Sequence, residues 1–435
     1  MLRMRFIKII GIFLFVGIST LVNGQNLHYF FIDDIYQRSY FNPALNNKNN
    51  VSLATGIGVD FNTNGPSLSD LTSKNPAGGL IISASDAIAK MNETNDVFGY
   101  TSVNTFDASI KIPFIRISIG HAWKAQGWME YTKDLAEFVT NGNGAFIGKT
   151  MNLSPQLDYI NYNEIYLGLQ KSFGTLSIGF RAKRLSGVES VRTGNHVIDL
   201  TTSEDIYQLT VESDFELSSS RAFEYIDIEN FSLNVENFSF DNFMKNNNGW
   251  AFDIGASVSL GDRLELSLSI VDIGSIDWDV DPKTYTSKKV QTFDGIDVSE
   301  YITSDNEFVI LDSIEALLDL TETNEVFSTS LPSKIFLGGK FKISDLWSVG
   351  ALLQSNGSGD RRANVFALNA TAKLYKFLSV GAMYSIKSGN PANIGLHTSL
   401  HLGPVIGFLS TDNILRIGSF KSTNSNIRAG LSIHI

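Results

Sequence analysis

Ala251-Phe252-Asp253-Ile254-Gly255-Ala256-Ser257-Val258-Ser259-Leu260, then Gly261-Asp262, then Arg263-Leu264-Glu265-Leu266-Ser267-Leu268-Ser269-Ile270 is the stretch that decides the fold. In its first half Phe252, Ile254, Ala256, Val258 and Leu260 alternate with Asp253, Gly255, Ser257 and Ser259. In its second half Leu264, Leu266, Leu268 and Ile270 alternate with Arg263, Glu265, Ser267 and Ser269. Successive side chains of a strand point to opposite faces, so each half has one apolar and one polar face. The Gly-Asp between them marks a tight turn, and the whole reads as a long hairpin.

The same alternation recurs outward along the chain. Leu176, Ile178, Phe180 and Ala182 share a face opposite Ser177, Gly179, Arg181 and Lys183. The last strand sets Ile427, Ala429, Leu431, Ile433 and Ile435 against Asn426, Arg428, Gly430, Ser432 and His434. Strands are expected near 51–61, 99–112, 115–124, 158–171, 175–189, 249–260, 263–275, 334–343, 346–354, 363–374, 377–387, 393–402, 404–410 and 426–435, and 195–240 is expected to add a further pair or more. Runs this long exceed the usual soluble strand of about 5–6 residues and match the roughly 9–11 that cross a bilayer at a tilt. Their polar faces carry Gly and Ser more than Lys and Glu, which suits a crowded lumen better than the outside of a soluble sandwich. The fold class expected is all-β, a transmembrane antiparallel outer-membrane barrel of about 14 strands, with short helices in loops or plug. Closing the sheet satisfies every backbone group in lipid.

Punctuation agrees. Leu260-Gly261-Asp262-Arg263, Ser344-Asp345 and Leu374-Tyr375-Lys376 read as tight turns, while Ser355–Arg362 and Lys387–Asn393 read as longer loops at the opposite end. Short turns face the periplasm in such barrels. Short helices are expected at Ser85–Asn92, Lys133–Val139 and Ile310–Leu320, the last inside a long acidic insertion, 279–330, that lipid cannot accept and that must form an outer loop or a lumenal plug. The five tryptophans, Trp123, Trp128, Trp250, Trp278 and Trp347, fall near strand ends and read as an interfacial girdle.

Composition narrows the function classes. Of 435 residues 18% are charged and 11% aromatic, few charges for a large soluble surface and many polar residues for a helical membrane protein. Cysteine is absent, which excludes disulfides, thiol catalysis and acylation at an N-terminal cysteine. Arg3, Arg5 and Lys8 precede an apolar run from Ile9 to Ile18, and Val22 and Gly24 stand at −3 and −1 of a cleavage site. Residues 1–24 therefore read as a signal peptide, 25–50 as a periplasmic or lumen-entering lead, and 51–435 as the barrel. The formal charge is −11, and loss of those three cations leaves a more acidic mature chain that is ill suited to nucleic acid.

Two stretches carry a resemblance. Asn248-Gly249-Trp250-Ala251-Phe252-Asp253-Ile254-Gly255-Ala256, continued through Asp272-Ile273-Gly274-Ser275-Ile276-Asp277-Trp278, is one. Leu331-Pro332-Ser333-Lys334-Ile335-Phe336-Leu337-Gly338-Gly339, with Leu346-Trp347-Ser348-Val349-Gly350-Ala351, is the other. Together they resemble an uncharacterised family of Bacteroidota outer-membrane β-barrels, a domain of unknown function, over most of the mature chain. Phe41-Asn42-Pro43-Ala44 is similar to runs that open PorP/SprF-type barrels of type IX secretion and fatty-acid-transporter-like barrels, although Leu45 and Asn46 replace the Tyr-Ala-Gly that follows in the PorP/SprF type. Physically, the Asn42 side chain can bond the backbone two residues on, capping a turn into the first strand.

Chemistry is sparse. His397 and His401 share a strand face but stand roughly 13 Å apart along it, too far for one zinc. Asp277-Trp278-Asp279-Val280-Asp281 has alternating carboxylates without the Gly and distal Glu of a calcium loop. No His-Glu-x-x-His, P-loop or Gly-x-Ser-x-Gly pattern occurs. No cofactor, metal or catalytic group is expected, and a hydrolase is the remote alternative. The residues expected to line the lumen are Arg181, Lys183, Asp253, Arg263, Glu265, Lys340, Lys342, Lys373, His397, His401 and Arg428. Expected partners are outer-membrane lipid, the barrel-assembly machinery and proteins of a surface complex. The leading function is a transport barrel for hydrophobic or small solutes; the alternative is an accessory barrel of a surface or type IX secretion apparatus.

Overall fold

The computed structural model describes residues 27–435 apart from 46–48, 75–79, 226–230, 234–243, 294–317, 388–392, 415–423 and a few positions of one or two residues. The signal peptide and the helix expected over 310–320, but for its last residues, lie outside the described residues.

Fourteen strands close into one antiparallel barrel. They are β1 Val51–Thr63, β2 Thr94–Lys111, β3 Arg116–Thr132, β4 Gln156–Phe173, β5 Leu176–Thr202, β6 Asn248–Leu260 and β7 Leu264–Trp278. Then follow β8 Ser333–Lys342, β9 Trp347–Ser358, β10 Arg361–Tyr375, β11 Leu378–Lys387, β12 Asn393–Leu402, β13 Val405–Thr411 and β14 Asn424–His434. Each pairs with the next, and β14 returns to β1 with Ser52 opposite His434 and Asn62 opposite Asn424. The seam includes a 2.9 Å hydrogen bond between Ser52 Oγ and His434 Nδ1. Every strand expected from alternation is present.

Burial is inverted relative to a soluble protein. Along β12, Ile394, Leu396 and Leu400 face out and are exposed, while Gly395, His397 and Ser399 face in and are buried. The decisive hairpin behaves alike: Phe252, Ile254, Leu266 and Leu268 are exposed, and Asp253, Ser257, Ser267 and Ser269 are buried. An apolar belt outside and a polar inside suit lipid and not water. Among the described residues no helix is long and apolar enough to cross a membrane.

Tight turns join the strands at one end. Gly174, Gly261 and Gly403 occupy these turns at φ +62°, +62° and +63°, a conformation glycine adopts without steric penalty. At the other end the wall rises. β5 runs 27 residues, and beyond Val191 it pairs with strand Leu209–Ser220, which pairs in turn with Pro282–Phe293. The described part of the acidic insertion thus builds an outer sheet rather than a plug, and the pair expected in 195–240 belongs to that sheet rather than to the barrel. Helices occur at Ala84–Ile88 and Lys133–Asn141, as expected.

Two expectations need correction. Ser355–Arg362 is not a long loop, because β9 and β10 stay paired to Ser358 and Arg361. The tryptophan girdle is reduced: Trp250 and Trp347 are about half exposed, but Trp123 and Trp278 are buried. Trp278 packs with Leu185, Ile276 and Leu331; the indole is large enough to fill the upper barrel, and burial outweighs any interfacial preference there.

Candidate functional site

The lumen is occupied by residues 27–45. Leu27–Phe31 forms a short helix, α1, and Tyr36–Tyr40 a 3-10 turn. Leu27, Tyr29, Phe30, Phe31, Ile32, Ile35, Phe41 and Leu45 of this plug are buried in one cluster with Val271, Phe336, Leu352, Val365, Met383, Ile406 and Phe408 of the wall. A segment of nineteen residues this aromatic cannot stand in water inside a polar tube, so it packs on an apolar strip of the inward face.

Asn42 fixes the plug to the wall. Its Oδ1 accepts from the Ala44 N–H at 2.8 Å, the turn expected from the sequence, while its Nδ2 donates to the carbonyls of Ala256 at 2.9 Å and Leu268 at 3.1 Å. The wall is cut to receive it. Gly179 and Gly255 are opposite each other on β5 and β6. A Cβ on Gly255 would lie 1.9 Å from Asn42 Oδ1, and one on Gly179 would lie 2.2 Å from the Pro43 carbonyl carbon. Asn42-Pro43 is therefore a seat for the plug and not just a lead into β1.

Polar contacts complete the seating. Gln37 Oε1 accepts from Ser432 Oγ at 2.7 Å, and its Nε2 donates to the Thr55 carbonyl at 2.9 Å. Tyr40 and Tyr166 both donate to the Asp107 carboxylate, and the Tyr36 and Tyr166 hydroxyls are 3.0 Å apart. His28 Nδ1 meets His397 Nδ1 at 2.9 Å, with His28 Nε2 on the Thr411 carbonyl at 2.8 Å. Asp33 bonds Lys340, with Lys373 at 3.6 Å and Arg38 at 4.0 Å, and Arg38 also pairs with Glu265. Burial would push the Asp33 carboxyl up, but Lys340, Arg38 and Lys373 together outweigh it and hold the group below the usual carboxylate range.

Above the plug a second network spans the barrel. Lys183 lies 2.7 Å from Asp253 and 2.5 Å from Asp272, Lys334 lies 3.0 Å from Asp272, and Lys124 lies 2.8 Å from Glu164. Arg181 is 3.6 Å from Asp253, with its guanidinium over the Tyr166 ring at 4.1 Å. Arg428 bonds Asp60 and lies 3.3 Å from Asp412. Charges at this depth persist because they are paired and hydrogen bonded.

The plug divides the interior. Below it a vestibule of about 630 Å³ opens at the short-turn end, and above it a pocket of about 50 Å³ lies between Tyr29, Tyr40 and the Tyr100–Asp272 side of the wall. Arg181 lines both spaces. The residues read from the sequence as lumen-lining do not form one group. Arg181, Lys183, Asp253 and Arg428 belong to the buried networks; Lys340 and Glu265 meet the plug; Arg263, Lys342 and Lys373 border the vestibule. His397 meets the plug, and His401 sits nearer the short-turn end of the same strand. Among the described residues no group of three His, Cys, Asp or Glu stands close enough to hold a metal.

Asp272, Lys124, Glu164, Lys334 and Asp107 also face this interior and were not anticipated. A bulge between Phe252 and Ile254 puts both Val271 and Asp272 opposite Asp253, with Asp272 at φ +61°, and further register shifts interrupt the β2–β3 and β4–β5 pairings. Each bulge shifts the face on which later residues fall, so simple parity counting fails beyond it.

A family model described as a family of unknown function, DUF5723, matches residues 42–412. The chain belongs to the DUF5723 family. In this DUF5723 chain the match opens at Asn42, the residue that seats the plug. No curated relative matches by sequence. Among solved structures, the Pseudomonas putida toluene transporter TodX is similar at 10% identity and a TM-score of 0.43, covering 95% of this chain and 94% of that one. The Ralstonia pickettii toluene transporter TbuX is similar at 10% identity and a TM-score of 0.44, with 92% and 93% covered. The translocator domain of the autotransporter NalP from Neisseria meningitidis is similar at 10% identity and a TM-score of 0.35, with 90% and 91% covered. At these values the closed strand order of the DUF5723 barrel itself establishes its architecture.

Proposed function

We propose that this protein is a gated outer-membrane barrel, exported by its N-terminal signal peptide, that passes small apolar or amphiphilic solutes when the plug shifts. One observation carries this reading: the plug covers an apolar strip of the inner wall, Val271, Phe336, Leu352, Val365, Met383, Ile406 and Phe408. Displacing the plug would open a lumen with an apolar track bordered by charged groups, which favours solutes that a water-filled porin does not select. A filled lumen also fits the second reading, an accessory barrel of a surface complex whose core never opens.

The absence of cysteine makes the test clean. Gln37→Cys with Ser432→Cys replaces two side chains already in hydrogen-bond contact, so oxidation ties plug to wall. Uptake of the apolar dye N-phenyl-1-naphthylamine is then followed in cells carrying the barrel. Uptake in the reduced state and its loss on oxidation supports gating. Equal dye exclusion in both states, from a barrel shown to be folded, leaves the accessory reading.

A further inference from the structure

The two ends of the barrel differ in charge. Six short turns close the end at which Ile435 meets Val51, and five of them carry an exposed cation at the turn or beside it: Lys111, Lys171, Arg263, Lys342 and Lys376. The exposed carboxylates of these turns are Asp262 and Asp345, and Asp345 lies 2.6 Å from Lys342. Among the described residues no ion pair engages Lys111, Lys171, Arg263 or Lys376. The opposite end is acidic. Its outer sheet and the neighbouring loops expose Glu204, Asp205, Glu212, Glu216, Asp279 and Asp281. Lys283 and Lys288 of that sheet are already paired, with Glu224 at 3.0 Å and Asp214 at 2.6 Å.

The cations stand among exposed rings. Phe173, Tyr375 and Phe377 are each half or more exposed, and Trp347, at the start of β9, is about half exposed. Lys171 shares the outward parity of β4 with exposed Leu169 and Phe173, and its Nζ lies 5.0 Å from the centre of the Phe173 ring. Lys376 sits between Tyr375 and Phe377, whose rings stack at 5.3 Å. These rings continue the apolar belt of the wall to its edge. Rings and basic side chains at such a margin meet lipid head groups, and arginine and lysine bond phosphate oxygens. A rim with unpaired cations favours an anionic head group over a zwitterionic one, while the acidic end repels it.

We infer that this rim binds anionic phospholipid, with phosphate oxygens on Arg263 and Lys376 and the glycerol and upper acyl chains against Trp347, Tyr375 and Phe377. Arg263 and Lys376 belong to the turns on either side of the one that leads into Trp347. One half-exposed indole therefore stands between both cations and reports the lipid beside them. The inference requires no movement of the plug, so its fate is separate from that of the gating reading.

The test is quenching of Trp347 fluorescence by dibrominated lipids in the full folded barrel. Trp250→Phe removes the half-exposed indole of the opposite end. Dibrominated phosphatidylglycerol is expected to quench with a relative association constant about fivefold above that of dibrominated phosphatidylcholine, the worth of one cation at an anionic surface. The preference is expected to shrink at high salt, to vanish in Arg263→Gln/Lys376→Gln and to persist in Lys283→Gln/Lys288→Gln. Equal quenching by the two lipids in the parent overturns the assignment and leaves the rim to an acidic protein segment. A preference that survives in the Arg263/Lys376 variant, or is lost equally in the Lys283/Lys288 variant, overturns it as well. Inorganic phosphate added at constant ionic strength separates the sources of the anion. A preference that persists supports the lipid, and one abolished by free phosphate shows that the cations hold a soluble ion instead.

Discussion

Gly255 and Arg428 show how single positions hold this interior together. A side chain at 255 would meet Asn42 Oδ1 at 1.9 Å and Pro43 Cδ at 3.1 Å, so Gly255→Val forces the plug off its seat while leaving the β6 ladder intact. Overpacking of this kind costs about 1–3 kcal/mol. The variant is expected to keep its folded gel mobility but to be cut by trypsin at Arg38 faster than the parent, and equal cutting rates would refute the seat. Arg428 is 1% exposed between Asp60 and Asp412. Arg428→Ala leaves two carboxylates buried without their cation, a loss of about 3–5 kcal/mol. Its thermal unfolding midpoint is expected to fall clearly, with Arg428→Lys recovering part of the loss.

At the scale of elements the plug is a separate segment seated on the wall strands. Its Asp33 carboxyl, held low by Lys340, Arg38 and Lys373 against the opposing effect of burial, gives seating a defined pH dependence. A carboxyl whose folded pKa is depressed contributes stability above its unfolded value, about 3.9, and that contribution is lost as pH falls through the folded value. Single-channel recordings should therefore stay quiet from pH 8 to about 4 and show openings on further acidification. Asp33→Asn removes the charge outright and is expected to raise opening frequency already at pH 7. A variant as quiet as the parent would mean that apolar packing alone seats the plug.

For the whole molecule, closure carries the stability of the wall, and the plug fills the lumen. Backbone hydrogen bonds from β1 to β14 and back leave no edge, the condition for a sheet in lipid. Deleting 27–45 is thus expected to leave a heat-modifiable barrel, and planar-bilayer recordings should change from silence to sustained conductance. Failure of the shortened chain to form a heat-modifiable species would show that the plug is part of the fold and not a lid on it.

The strands were legible without tertiary information because alternation is a property of the local backbone. Phe252 against Asp253, or Leu266 against Glu265, announces an apolar outside and a polar inside before any partner is known. Arg181, Lys183 and Arg428 could be placed inward by that parity, as could His397. Parity failed at Asp272, where a bulge adds a residue and turns a carboxylate toward Lys124, Lys183 and Lys334. Nor did the tryptophans betray their places, because a bulky ring near a strand end suits either an interface or a crowded lumen, and only the neighbours of Trp278 decide between them. What the sequence by itself determined is a membrane barrel and its strands. Tertiary structure alone decided what fills it, because the meeting of Asn42 with Gly255, or of His28 with His397, depends on contacts between residues more than two hundred positions apart that no local period encodes.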